Sequence, residues 1–119
     1  MIRVVFFDLG DTLVAEESAM GAHLWETTLT KLPHLDEVLT ELKRKGFKLG
    51  IITNTVTSRE EHVRMALRKI DIEKYFDIII TSVDVGHEKP DERIFLTALR
   101  KLRIKPKEAV MVGNRISAD

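Results

Sequence analysis

Asp8, Thr53, Lys89 and the pair Asn114 and Asp119 are the side chains of this 119-residue sequence whose types and spacing could do chemistry together. Asp8 ends the apolar run VVFF, and Thr53 ends a second run, LGII. Lys89 lies in the loop after a third, IIIT, and Asn114 and Asp119 follow a fourth, AVMV. A carboxylate at a strand exit serves as a nucleophile, a metal ligand or the cap of a turn, and Asp8 alone leaves all three open. A hydroxyl, an ammonium and an amide–carboxylate pair at corresponding strand ends favour chemistry. These are the parts needed to attack and stabilise a phosphoryl group: a carboxylate attacks phosphorus, a cation offsets charge on the equatorial oxygens, and Mg²⁺ bridges nucleophile and substrate.

Four strands must carry these residues, at Arg3–Phe7, Lys48–Thr53, Asp77–Thr81 and Ala109–Gly113. Their near-continuous hydrophobicity is that of strands buried on both faces of a parallel sheet. Helical patterns fill the intervals. LDEVLTELKRKG aligns Leu35, Val38, Leu39 and Leu42 and stops at Gly46. SREEHVRMALRKI starts at a Ser58 cap and aligns Val63, Ala66, Leu67 and Ile70. PDERIFLTALRKL opens on Pro90 as its first helical residue and aligns Ile94, Phe95, Ala98, Leu99 and Leu102. Alternating strands and helices predict a Rossmann-like three-layer α/β/α domain, class α/β, with a mostly parallel sheet and ligands beyond the carboxyl ends of its strands. Residues 1–119 read as one domain, and Ala15–Leu32, holding Leu24, Trp25 and Leu29, reads as one helix or a short flap with a hydrophobic side.

On these residues the chain resembles the haloacid dehalogenase (HAD) superfamily. FFDLGDTLV is similar to its first motif, LGIITNT to its second, GHEKPDERIF to its third and VMVGNRISAD to its fourth, in family order from Val4 to Asp119. The resemblance implies a phosphohydrolase working through an aspartyl-phosphate. Asp8 is then the nucleophile, Thr53 and Asn54 hold the phosphoryl oxygens, and Lys89 steadies Asp8 and the transition-state charge. Mg²⁺ is held by Asp8, the Gly10 carbonyl and Asn114, with Asp119 as a ligand or behind it.

Several positions depart from the family pattern. Phosphatases of the superfamily place a second aspartate two residues after the nucleophile, to protonate the leaving group and activate water; here that residue is Gly10, and Asp11 stands one position later. A one-residue shift redirects a side chain, and loss of a positioned acid–base typically costs about 10²- to 10⁴-fold in rate. Asn114 replaces an aspartate, lowering the negative charge offered to the cation. Some dehalogenases of the superfamily carry Asn in this region and need no metal, so metal-independent carbon–halogen hydrolysis is an alternative, as is a binding or scaffold protein with weak chemistry. No long insertion for a cap domain is present, which predicts an open site for a phosphorylated small molecule or an exposed macromolecular phosphate. The strand and helix that relatives carry after the fourth motif are absent, so the sequence is a shortened form or a second copy covers the open edge.

Composition narrows the classes further. Lys+Arg and Asp+Glu balance at 19 each, which offers neither nucleic acid nor an anionic membrane a basic field. There is no cysteine, excluding disulfides and thiol catalysis, and no apolar stretch nears the roughly 20 residues of a membrane span. The expected location is cytoplasmic. His34 and His62 read as surface groups, His23 belongs to the flap, and His87 stands near the site without an assigned role.

Overall fold

The computed structural model describes residues 1–9, 14–16 and 29–113. Its elements in chain order are β1 (Val4–Phe7), β2 (Val14–Glu16), β3 (Leu29–Lys31), α1 (Leu35–Arg44), β4 (Lys48–Thr53), α2 (Glu60–Lys69), β5 (Ile78–Thr81), α3 (Ser82–Val85), α4 (Glu92–Leu102) and β6 (Ala109–Val112). Single 3₁₀ turns at Glu73–Tyr75 and Pro106–Glu108 lead into β5 and β6. The four predicted strands appear within one residue of their expected bounds.

Among the described residues, β5, β4, β1 and β6 form a parallel sheet in that spatial order. The chain builds outward from β1 through β4 to β5, then crosses back to place β6 on the other side of β1. The strand order therefore reverses beside the carboxyl end of β1, where α/β sheets bind their ligands. Asp8 is the next residue.

Side-chain alternation divides the core into two layers. Val5, Phe7, Leu49, Ile51 and Ile79 point to one face, where Leu35 and Leu39 of α1 and Val63, Ala66 and Leu67 of α2 cover them. Phe7 meets Phe76 edge to face there, with ring centres 6.5 Å apart. Val4, Phe6, Ile52, Ile78 and Ile80 point to the other face, against Ile94, Ala98 and Leu99 of α4. The result is the predicted three-layer sandwich. Gly50 pairs with Phe6 on one side and Ile78 on the other. A Cβ there would lie 2.7 Å from both side chains, so the Phe6 ring occupies the space that glycine leaves.

Helix ends follow local chemistry, with some departures from expectation. Gly46 ends the α1 turn at φ 93°, a conformation that favours glycine, and donates to the Lys43 carbonyl. Val38 is exposed rather than part of the α1 stripe; only Leu35 and Leu39 of that helix are buried. Ser58 is not the cap of α2. Arg59 holds that position, its N–H donating to His62 Nδ1. Pro90 likewise precedes α4, whose cap is Asp91, accepting the Arg93 N–H at 2.9 Å. In both cases the first helical residue lies later than the pattern suggested, because loop residues upstream are engaged in contacts of their own.

The segment read as one helix or a flap begins and ends in an antiparallel ribbon, with Val14 opposite Lys31 and Glu16 opposite Leu29. Trp25, Leu24 and His23 lie outside the described residues. On the far edge, Val110 and Val112 share the face of Val5 and Phe7 but are each 39% exposed. No helix among the described residues is long and apolar enough to cross a membrane.

Candidate active site at the carboxyl end of the sheet

Asp8 shares its alternation phase with Val4 and Phe6, so its side chain heads for the α4 layer. The loop entering α4 brings Lys89 to meet it. Lys89 Nζ lies 3.2 Å from Asp8 Oδ1, and the two side chains are 2% and 9% exposed. The same oxygen accepts the Leu9 N–H at 2.8 Å, and the Asp8 N–H donates to the Val112 carbonyl at 3.1 Å, tying the turn to β6. An ammonium and a carboxylate are thus removed from water together. In a low-dielectric setting their attraction is far stronger than at the surface, and either charge alone would be costly.

Thr53, the last residue of β4, is 5% exposed. Among the described residues its hydroxyl makes a long 3.5 Å contact with the Asn54 carbonyl, at the outer limit for a hydrogen bond. Asn54 behaves differently from expectation. Its Oδ1 accepts the Lys89 N–H at 2.7 Å and its Nδ2 donates to the Lys89 carbonyl at 3.2 Å. The amide side chain therefore grips the Lys89 main chain at two points. The Lys89–Pro90 peptide is cis.

Behind this row stands a second one that the sequence reading passed over. Ser82 Oγ accepts the Thr55 N–H at 2.8 Å and donates to the Thr55 carbonyl at 3.1 Å. Thr81 Oγ1 donates to Asp84 Oδ2 at 2.7 Å and accepts the Asp84 N–H at 3.1 Å. Asp84 Oδ2 also accepts the Glu60 N–H at 2.7 Å, capping α2 from the neighbouring helix α3, and Oδ1 accepts from Arg59. The available signal was position: Thr81 and Ser82 end the third apolar run as Thr53 ends the second.

Burial pushes the Asp84 carboxyl up, but the hydrogen bonds from Thr81, the Glu60 N–H and Arg59 outweigh it and hold its pKa below the ordinary 3.8. A folded-state pKa below the unfolded one contributes stability that is present above pH 3.8 and lost as pH falls through the folded value. Asp84→Ala is expected to lower stability by about 1–2 kcal/mol at pH 7, the usual worth of a helix cap. Urea melts of both proteins check this, and the gap should narrow below about pH 4 as the wild-type carboxyl takes up its proton.

Gly10, Asp11, Asn114 and Asp119 lie outside the described residues, so of the predicted site the structure brings together Asp8, Thr53, Asn54 and Lys89. His87 stands 4.0 Å from Asp91, which is held down to about 2 chiefly by the Arg93 guanidinium. Three segments from separate parts of the chain meet at one sheet edge. They present a buried carboxylate–ammonium pair and a threonine hydroxyl.

Comparison with known proteins agrees with this architecture. Residues 16–118 match the family model for haloacid dehalogenase-like hydrolases. The chain is 41% identical over 91 residues to a glyceraldehyde 3-phosphate phosphatase from Methanothermobacter thermautotrophicus, covering 76% of this chain and 39% of that protein. It is 35% identical over 104 residues to pyrophosphatase PpaX from Bacillus velezensis, covering 87% of this chain and 47% of that one. The chain thus spans less than half the length of these curated relatives. A crystal structure of a Listeria monocytogenes serotype 4b protein superposes with a TM-score of 0.90 at 34% identity, over 99% of this chain and 70% of that one. The chain belongs to the haloacid dehalogenase-like hydrolase family.

Proposed function

We propose that this chain is the core of a Mg²⁺-dependent phosphohydrolase that removes phosphate from a small phosphorylated molecule through an aspartyl-phosphate on Asp8. The observation that carries the reading is the buried Asp8–Lys89 pair beside the switch point of the sheet. The named activities of the phosphatase relatives support the substrate class. With Oδ1 held by Leu9 and Lys89, Oδ2 attacks phosphorus, a P–O bond to Asp8 forms, and the bond to the leaving oxygen breaks. That oxygen takes a proton from water, since Gly10 offers no acid. Water then attacks the acyl phosphate, releasing inorganic phosphate and restoring the carboxylate. Lys89 offsets charge on the phosphoryl oxygens, and Thr53 donates its weakly engaged hydroxyl to one of them.

The donor set is all oxygen: the Asp8 carboxylate, the Gly10 carbonyl, the Asn114 amide and the Asp119 carboxylate. Hard oxygen donors suit Mg²⁺, so Asp8, Gly10 and Asn114 would hold the ion, with Asp119 beside them. When bound, it offsets the negative charge of the phosphoryl group. A cytoplasmic location belongs to the same reading, as does a second copy of the chain over the half-exposed Val110 and Val112.

Hydrolysis of p-nitrophenyl phosphate tests the proposal. Turnover above the buffer blank is expected with Mg²⁺, lost on chelation with EDTA and restored by excess Mg²⁺. Gly10 favours one other reading, a phosphate-binding protein with little chemistry. A rate no higher than the blank at saturating Mg²⁺ would decide for that alternative.

A further inference from the structure

We infer that Ser82 is a positioning residue for this centre, setting the Asp8–Lys89 pair through the Thr55–Asn54 turn. This inference rests on the phosphohydrolase reading for its effect on rate, and on hydrogen bonds alone for its structural content. β4 and β5 stop pairing at Thr53 opposite Thr81. One step beyond, Ser82 Oγ engages both the N–H and the carbonyl of Thr55, at 2.8 and 3.1 Å. The side chain thereby continues the sheet past its end. The next residue back, Asn54, makes the same kind of two-point grip on Lys89, at 2.7 and 3.2 Å. Lys89 then reaches Asp8 at 3.2 Å. A single hydrogen bond leaves rotation about its own axis, whereas two to one residue fix orientation as well as distance. Two such grips in series connect the end of β5 to the nucleophile.

Ser82 is 7% exposed and Thr55 is half-buried. A protein side chain holds the Thr55 backbone in a fixed place, which an exchanging water would not. What the serine adds is position. Catalytic geometry is sensitive to that, since a shift near 1 Å can cost about 10²-fold in rate.

The test compares wild type, Ser82→Ala and the near-isosteric Ser82→Cys in Mg²⁺-dependent p-nitrophenyl phosphate hydrolysis, with amide hydrogen exchange read at Lys89 and at Ile51 in β4. Ser82→Ala is expected to lose about tenfold in kcat with KM within twofold, since the placed groups act on the reacting atoms. Exchange should accelerate at Lys89, whose N–H rests on Asn54, and stay unchanged at Ile51. Should Ser82→Ala fail to fold, Ser82→Cys is read by the same two criteria. A kcat within twofold of wild type, or exchange accelerated equally at Ile51, overturns the inference. Should wild type show no Mg²⁺-dependent turnover, the phosphohydrolase reading falls by itself. Exchange at Lys89 then decides: acceleration in the variant upholds the positioning role, and retained protection overturns it.

Discussion

Asp8→Asn is expected to abolish Mg²⁺-dependent phosphate release, by roughly 10³-fold or more, while leaving the fold in place. An amide oxygen is no nucleophile toward phosphorus, and Asp8 is the carboxylate that Lys89 Nζ meets at 3.2 Å. The path through a covalent intermediate closes entirely. Stability should fall as well, because the Lys89 ammonium, 2% exposed, loses its carboxylate. Asn keeps an oxygen at the position of Oδ1, so the Leu9 N–H and Lys89 retain an acceptor of nearly the same shape. What is lost is the charge of the acceptor, which leaves a buried ammonium uncompensated at roughly 3–5 kcal/mol, less what the retained acceptor recovers. Initial rates and urea melts of the same preparation check both halves. A variant that keeps a tenth of the wild-type rate would remove Asp8 from the role of nucleophile.

The positions of Asp8, Thr53 and Lys89 were legible because strand ends are sharp in sequence. A buried run cannot continue through an unpaired carboxylate, so VVFF followed by Asp8 marks both the strand and its exit. Alternation also puts Asp8 and Leu9 on opposite faces of the sheet, and it is the packing of α4 that gives the Asp8 face its layer. The use of Asn54 was not legible. An asparagine beside a phosphate-binding threonine reads as a ligand group, and only the path of the Lys89 loop shows its amide turned to that main chain. Ser82 and Asp84 escaped for the same reason. Their partners, Thr55 and Glu60, are 27 and 24 residues away, and no local pattern announces a side chain that caps or extends an element distant in sequence. The Ser58 cap failed on the same ground, because Asp84 supplies the acceptor that a local serine was expected to provide.

Lys89→Met should likewise lose stability as well as rate, stranding the other charge of the pair. Methionine fills much of the volume of the lysine stem but leaves the Asp8 carboxylate, 9% exposed, without its cation. Removing one partner of a buried pair is penalised far more heavily than replacing both, by roughly 3–5 kcal/mol, because the remaining charge stays desolvated. The Leu9 N–H, which still donates to the carboxylate, recovers part of this. The rate falls because the phosphoryl oxygens lose the ammonium that offset their charge, typically worth about 10²- to 10³-fold. The double variant Asp8→Asn with Lys89→Met separates the two effects. It removes both charges together and should regain much of the stability lost in Lys89→Met while remaining inactive. Urea melts of the four proteins close the cycle. A double variant no more stable than Lys89→Met would show that the cost lies in packing around the lysine stem and not in the stranded carboxylate.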